Sequence, residues 1–432
     1  RVGVNGKRIV SHASVNATSK LVQNYPANWL IEKDSLNILN SGKIWLGDPM
    51  GTGIGKKTSL SFTLNLDGLQ FDMPIVVQTQ LAAATFQTNA NFTVKLNNQR
   101  LSSTEINPVS GFIFDDAYKI RFDSLSTWLD ATKLVKPGQS LTNMDVQVDF
   151  NGPTTSTGWI DYIALHGQRK IGYWGNTNFG FDYFNNNVKD QGVAFEIQNA
   201  SNQTRVWELS SPLQPLAVPV QLGQNSVAKF SSTDSAHKYF YVFEADKMKT
   251  AQLAGFISND SSFSVNPVDY IIIAAPDFYQ TAKALKLFHE KQNGYKVGLV
   301  NSIQIFNEMA SGQSSPIAIR NYLKYMIEQA KIKNQPKPAY VLLMGMGNFN
   351  TQKIQLNKEL PVYTSDVSNA ILTSYSTDDF YAIQKSGDQI QYAQSIDSIG
   401  LAIGRIPART IAEADRMVAK LIQYQTSKKM GL

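Results

Sequence analysis

Val268-Asp-Tyr-Ile-Ile-Ile-Ala-Ala-Pro276 is a short β-rich apolar run closed by a proline and followed by a helical pattern. Such a run reads as a strand buried on both faces, which is how a parallel sheet begins. Downstream, Ala282, Leu285, Leu287 and Phe288 recur at helical spacing, Gly294 supplies a stop, and Lys296-Val-Gly-Leu-Val-Asn301 follows as a second strand. Together these predict a βαβ unit.

The same rhythm continues to the end of the sequence. Ser314-Ser-Pro316 predicts the cap of a helix running through Ile319, Tyr322, Leu323, Met326 and Ile327, with proline at the first helical position. Tyr340 to Gly345 and Ser398 to Gly404 read as third and fourth buried strands. Thr410 to Thr426 reads as an amphipathic helix with Ile411, Ala414, Met417, Val418, Leu421 and Ile422 on one face. Residues 265–432 are therefore expected to be an α/β subdomain with a parallel sheet between helices. Another strand is expected where Met430-Gly-Leu432 stands, so this subdomain is expected to be incomplete.

Upstream the period is different. Residues 1–168 carry short alternating runs, among them Leu60 to Leu66, Met73 to Val77, Asn91 to Leu96 and Met144 to Phe150, separated by Asn, Gly, Ser and Pro. They predict an antiparallel β-sandwich ending in Gly158 to Leu165, with Trp159 or Ile160 facing inward. In residues 169–264, Val193 to Ile197, Arg205 to Leu209 and Tyr239 to Phe243 predict a smaller all-β connector, or equally a second sheet of the first domain.

Composition narrows the function. The net charge of +6 is spread thinly, with no basic block longer than Lys56-Lys57 or Lys428-Lys429, so the sequence does not read as a nucleic-acid binder. No apolar segment reaches the roughly 18 to 20 residues of a membrane helix, and the N-terminus has no signal-peptide layout. Cysteine is absent, which excludes disulfides, thiolate metal sites and a cysteine nucleophile within these residues. The four histidines, His12, His166, His237 and His289, lie far apart in sequence and argue against a multi-histidine metal site.

Ligands of open parallel sheets gather at the carboxyl ends of the strands. Those ends are Pro276-Asp277, Asn301-Ser302, Gly345-Met-Gly-Asn348 and Gly404-Arg405, and the long 347–379 loop lies beside them. Gly345 and Gly347 lack the spacing and the Lys-Ser/Thr of a phosphate loop and read as a tight turn. Arg405, beside Gly404, is expected to brace the loops by fork hydrogen bonds. Asp378 and Asp379 are the densest acidic pair. They read either as ligands of a possible Ca²⁺ or as a solvated loop or helix cap. His166-Gly167 and His289 read as structural, a serine nucleophile elbow is missing, and no catalytic set emerges.

Taken in order, Asp269 to Pro276, Phe288-His-Glu290, Gln304 to Glu308 with Ser311-Gly312, Pro316-Ile-Ala-Ile-Arg320, Tyr340 to Gly345, Ser376-Thr-Asp-Asp-Phe380, and Gly400 to Pro407 with Glu413-Ala414 resemble the gingipain-type cysteine peptidases. Trp159 to Ile163 and Val206 to Pro212 are similar to the β-region that precedes the peptidase domain in the sortase branch of that family. The resemblance implies a caspase-like fold of two subdomains and a His/Cys dyad in the second, so no catalytic residue is expected before Leu432 and this stretch alone is expected to be inactive. It also implies no required cofactor and a place in the cell envelope, at the outer-membrane surface or outside it. The implied partners are the C-terminal signal domains of type IX secreted cargo, other components of that secretion system, and anionic lipopolysaccharide as acceptor. Family members often carry an acid between the two glycines where Met346 stands. With the absent thiol, this keeps open a non-catalytic envelope scaffold with a degenerate peptidase fold.

Overall fold

The computed structural model describes residues 8–13, 15, 20–130, 142–175, 178–186, 192–257, 268–350, 353–384 and 399–427. The chain divides into two compact units. One comprises residues 1–36, 45–111 and 119–253, the other residues 37–44, 112–118 and 254–432.

The first unit contains two sandwiches. In one, Asn24–Glu32, Thr157–Lys170, Ile75–Ala84 and Arg121–Leu129 form a sheet opposite Ser59–Asn65, Asn143–Asn151, Ala90–Leu96 and Gln99–Ile106. Alternate residues such as Phe92, Val94, Val146, Val148 and Phe150 fill the core between them. The 157–170 strand departs from simple alternation. Ile160 pairs with Leu81 and Tyr162 with Gln80, which leaves Asp161 as an extra residue. A bulge of this kind exchanges the two faces of a strand. Ile160 therefore faces the core on one side of it, and Ile163 and Leu165 on the other.

The second sandwich occupies the region expected to be a connector or an added sheet. Its sheets run Val10–Ser11, Leu216–Val218, Thr204–Glu208, His237–Glu244, Phe179–Phe184, and Val220–Leu222, Ala228–Thr233, Gly192–Ile197, Lys20–Val22. They enclose their own aromatic core of Phe181, Phe195, Phe230 and Phe240. Val10–Ser11 and Lys20–Val22, counted with the first sandwich in the sequence, pair in parallel with Leu216–Val218 and Gly192–Ile197, far along the chain. Local alternation carries no information about such a partner. Between these sheets Lys238 is buried and reaches both oxygens of Glu208 at 3.1 and 3.0 Å and the hydroxyl of Ser232 at 2.7 Å, so the charge is fully partnered.

In the second unit the order Val297–Asn301, Tyr270–Ala274, Tyr340–Met344, Ala402–Ile406 makes a wholly parallel sheet. Ile271, Ile272, Ile273 and Ala274 are fully buried, as a strand covered on both faces requires. The helices are Tyr279–Asn293, Ser302–Ala310, Pro316–Ile332 and Ile411–Thr426. Gly294 ends the first of these with φ +68°, and the Ser315 hydroxyl accepts from the Ile317 N–H at 3.1 Å to open the third.

Two expectations are corrected in this unit. The fourth strand spans Ala402–Ile406, not 398–404. Gly400 is still held by the Ala382 carbonyl, Pro407 closes the strand, and Ser398 lies outside the described residues, as do Met430 to Leu432. The expected apolar face of the last helix is only half covered. Ala414 and Val418 are buried, whereas Ile411, Met417 and Leu421 are 52%, 37% and 41% exposed. Among the described residues no helix is long and apolar enough to cross a membrane.

Candidate functional site

The carboxyl ends of the four parallel strands come together as one edge of the second unit. At the outermost of them, Asn301 is fully used as a helix cap. Its side chain accepts from the Ile303 N–H at 2.9 Å while Gln304 reaches back to the Asn301 N–H at 3.0 Å. Ser302 beside it is buried, and its hydroxyl has no partner in the structure. After Tyr270–Ala274, a short turn at Pro276–Phe278 leads into the following helix, with the Asp277 N–H bound to the Asn357 carbonyl at 2.9 Å.

The centre of the edge is organised by Arg405. Its Nε and Nη2 donate to the two carboxylate oxygens of Asp378 at 2.8 and 2.6 Å, and Nη1 donates to the Gly345 carbonyl at 3.1 Å. A planar guanidinium matches a carboxylate in this way where an ammonium cannot. The Arg405 side chain is 11% exposed and that of Asp378 22%, so the pair is largely shielded. Gly345 has φ +144°, and a Cβ there would lie 2.9 Å from the Lys358 carbonyl oxygen and 3.3 Å from Ala275 Cβ. At Gly347 the corresponding atom would make ordinary contact with Arg405 at 3.7 Å and Val362 at 3.8 Å, and at Gly404 it would meet nothing within 4 Å. Of the three glycines, Gly345 alone is required by its backbone.

For Asp378 and Asp379 the sequence leaves open a cation pair or a solvated loop or helix cap. Both oxygens of Asp378 are taken by a guanidinium, and Asp379 opens a short helical turn, Asp379–Ala382, with its N–H on the Thr377 hydroxyl at 3.1 Å. Among the described residues no group of three or more His, Asp or Glu is placed to hold a metal ion.

Residues behind Asp378 hold it in position. Tyr381 is fully buried and donates to the Pro361 carbonyl at 2.5 Å, and burial pushes its phenol well above the usual range. Phe380 stacks on Tyr363 at 4.5 Å, and Arg320 lies 4.9 Å over the Phe380 ring while donating to the Ile383 carbonyl at 2.7 Å. The 365–376 loop is tied down by residues far upstream in the same unit. Ser368 accepts from the Ile44 N–H at 2.8 Å, Lys43 pairs with Asp366 at 2.6 Å, and Asn369 donates to the Asp116 carbonyl at 3.0 Å. These polar residues sit in segments with no periodic signal. Arg320, by contrast, lies in the Pro316-Ile-Ala-Ile-Arg320 motif of the sequence.

The Ala402–Ile406 strand has a ladder partner on one side only among the described residues. Beside it runs a cavity of about 580 Å³ lined by Ile406, Pro407, Met417, Leu421 and Tyr424. The four histidines are dispersed. His166 contacts Asn28 at 2.7 Å, His237 contacts Asp182 at 2.7 Å, and His12 lies 3.7 Å from Glu208. His289 is buried against Tyr270 with ring centroids 4.9 Å apart. Among the described residues the edge thus offers a braced turn, a last strand paired on one side only, and no nucleophile with an adjacent base.

Residues 264–432 match the model of Peptidase family C25. Among solved structures, dimeric latent PorU from Porphyromonas gingivalis aligns with a TM-score of 0.78 at 19% identity over 96% of this chain. This chain spans 39% of the length of that one. A family 35 carbohydrate-binding module from Cellvibrio japonicus aligns over 33% of this chain and 97% of its own, at 10% identity and a TM-score of 0.20, too low to bear on the fold. A search of curated protein sequences finds no match. Residues 264–432 are thus similar to Peptidase family C25, the gingipain family, and the chain shares its fold with latent PorU.

Proposed function

We propose that this chain is the β-sandwich region and the first α/β subdomain of a gingipain-like cysteine peptidase of caspase-like fold. In this reading the whole protein acts as a sortase on type IX secreted cargo at the cell envelope. The match of residues 264–432 to the peptidase family carries the proposal. The braced carboxyl edge of the sheet and the open flank at Ala402–Ile406 support it, since a second subdomain would continue the sheet from there. With no cysteine in the chain, the thiolate and its histidine would lie beyond Leu432. There the thiolate attacks the carbonyl carbon before the C-terminal signal, the peptide C–N bond breaks, and the leaving amine takes a proton from the histidine. Water, or an amine on anionic lipopolysaccharide, then resolves the acyl-enzyme. Arg405, Asp378 and Gly345 touch no reacting atom in this scheme and act by holding the turn beside the site.

The test compares this chain with the longer product of its reading frame on a reporter fused to a C-terminal signal domain, with cleavage followed by mass spectrometry. The chain alone is expected to be inert, and the longer form to cleave and to be silenced by iodoacetamide. A longer form without a cysteine and a histidine, or one that binds signal domains and never cuts them, sinks the peptidase reading. Either result favours a non-catalytic scaffold, for which Met346 in place of an acid between the glycines is the supporting observation.

A further inference from the structure

We propose that a groove at the open edge of the first sandwich takes an extended basic peptide, with one lysine or arginine side chain reaching Asp161. Asn24–Glu32 and Ser59–Asn65 are the end strands of the two facing sheets. Between them lies a cavity of about 400 Å³ walled by Ile31, Leu60, Phe62, Leu64 and Ile160. Ile31, Leu60 and Phe62 are only half-buried, so the interior of the sandwich is incompletely covered here.

The opening has a cause in the backbone. Asn24–Glu32 accompanies the 157–170 strand only as far as the Glu32 and Tyr162 pair, and past the bulge the Ile160 carbonyl accepts instead from the Gly47 N–H at 3.0 Å. Asp161 stands in the gap between these two neighbours. As the extra residue of the bulge it is re-aimed, and it lines the cavity together with the core residue Ile160.

The charges around the cavity select a cation. Glu32, Lys33, Asp48 and Asp161 line it, and Ser59–Asn65 brings no charged side chain to it. Lys33 and Asp48 neutralise each other, the ammonium lying 2.7 Å from both carboxylate oxygens. Glu32, Asp161 and the neighbouring Asp34 have no hydrogen-bond or ion-pair partner among the described residues. Burial, and then Glu32 and Asp34, push the Asp161 carboxyl up to about 6, and no cation opposes them. Among the described residues the acids are not grouped to hold a metal ion, and hydrocarbon walls lead up to Asp161. The complement is a charged head on an aliphatic stem, as lysine and arginine carry. Because both flanking strands are end strands, an extended chain can pair with either by its backbone while it lowers that side chain between the sheets. No bond is made or broken at this site, so the inference does not depend on the peptidase reading.

Isothermal titration of the chain with blocked heptapeptides of alternating serine and valine tests it, the central residue being lysine, arginine or neutral norleucine, with pentylamine as a free amine. A lysine or arginine peptide is expected to bind at least about tenfold more tightly than the norleucine peptide. Its affinity is expected to fall about tenfold from about pH 7.5 to about pH 5, as Asp161 takes up its proton. Asp161→Asn is expected to remove most of the affinity and all of this pH dependence. Thermal melting checks that this variant is folded, and lost burial of a charge is expected to make it the more stable protein. Phe62→Ala is expected to bind about threefold more weakly. Failure of both basic peptides to bind overturns the proposal, as do equal binding of the norleucine peptide and undiminished binding by Asp161→Asn. Pentylamine binding as tightly as the basic peptides overturns the assignment of a peptide ligand.

Discussion

Replacing Arg405 by Met isolates the contribution of the brace at the sheet edge. The substitution keeps the aliphatic stem and removes two charge-assisted hydrogen bonds to Asp378, at 2.8 and 2.6 Å, and the 3.1 Å bond to the Gly345 carbonyl. Breaking a buried pair on one side costs about 3–5 kcal/mol, because the remaining charge is stranded. Asp378 is 22% exposed and regains some hydration, which brings the expected loss to the lower end, about 3 kcal/mol. At roughly 2–4 °C per kcal/mol, the melting transition of the α/β unit should fall by about 6–12 °C. Urea denaturation followed by circular dichroism measures it, in a cycle with Asp378→Asn and the double variant. A coupling of about 2 kcal/mol is expected between the two positions. Arg405→Lys should recover only part of the loss, since one ammonium cannot hold both carboxylate oxygens and the carbonyl. A coupling below about 0.5 kcal/mol would refute the bracing role and reduce the contact to an ordinary surface pair.

Three further outcomes follow from the geometry. Gly345→Ala should lose about 1–3 kcal/mol in urea titrations, given φ +144° and the 2.9 Å approach to Lys358, whereas Gly404→Ala should stay within about 0.5 kcal/mol of wild type. Burial, and then Glu32 and Asp34, push the Asp161 carboxyl up to about 6, so the folded chain holds this proton more tightly than the unfolded one. Stability should therefore decline as pH rises from about 4 to 6, and Asp161→Asn should remove that decline and gain about 1 kcal/mol at pH 7, a figure already reduced for solvent screening; an unchanged pH profile argues against it. Millimolar Ca²⁺ should leave the melting temperature unaltered in both wild type and Asp379→Ala, because Asp378 faces Arg405; a shift present only in wild type would restore the cation site.

Legibility differed sharply between elements. The strands at Tyr270–Ala274, Val297–Asn301 and Tyr340–Met344 and the helices between them were readable because each is specified by its own residues. Buried runs, a left-handed Gly294 and a Ser-Pro start are local signals. The bulge at Asp161 was not readable, since a strand pattern records alternation and the extra residue is defined only by what it fails to pair with. Position and chemistry mark Arg405 as a brace, yet its partner, Asp378, reads in the sequence only as half of an acidic pair, for a possible cation or for a solvated loop or helix cap. A carboxylate in a polar loop carries no sign of which cation it faces, and a guanidinium 27 residues away satisfies the same oxygens.

The sequence by itself determined the change from period-two β-structure to alternating strands and helices near residue 265, the absence of a thiol, and the ordered motifs of the peptidase family. All three depend on residue identity and short spacing. Only the tertiary structure decided that Val10–Ser11 and Lys20–Val22 complete the second sandwich, that residues 37–44 and 112–118 pack with the α/β unit, and that Arg405 closes on Asp378 and Gly345. Those arrangements join residues that are distant along the chain. Their free energy comes from burying and pairing groups whose proximity is created by the fold, so no local pattern contains it.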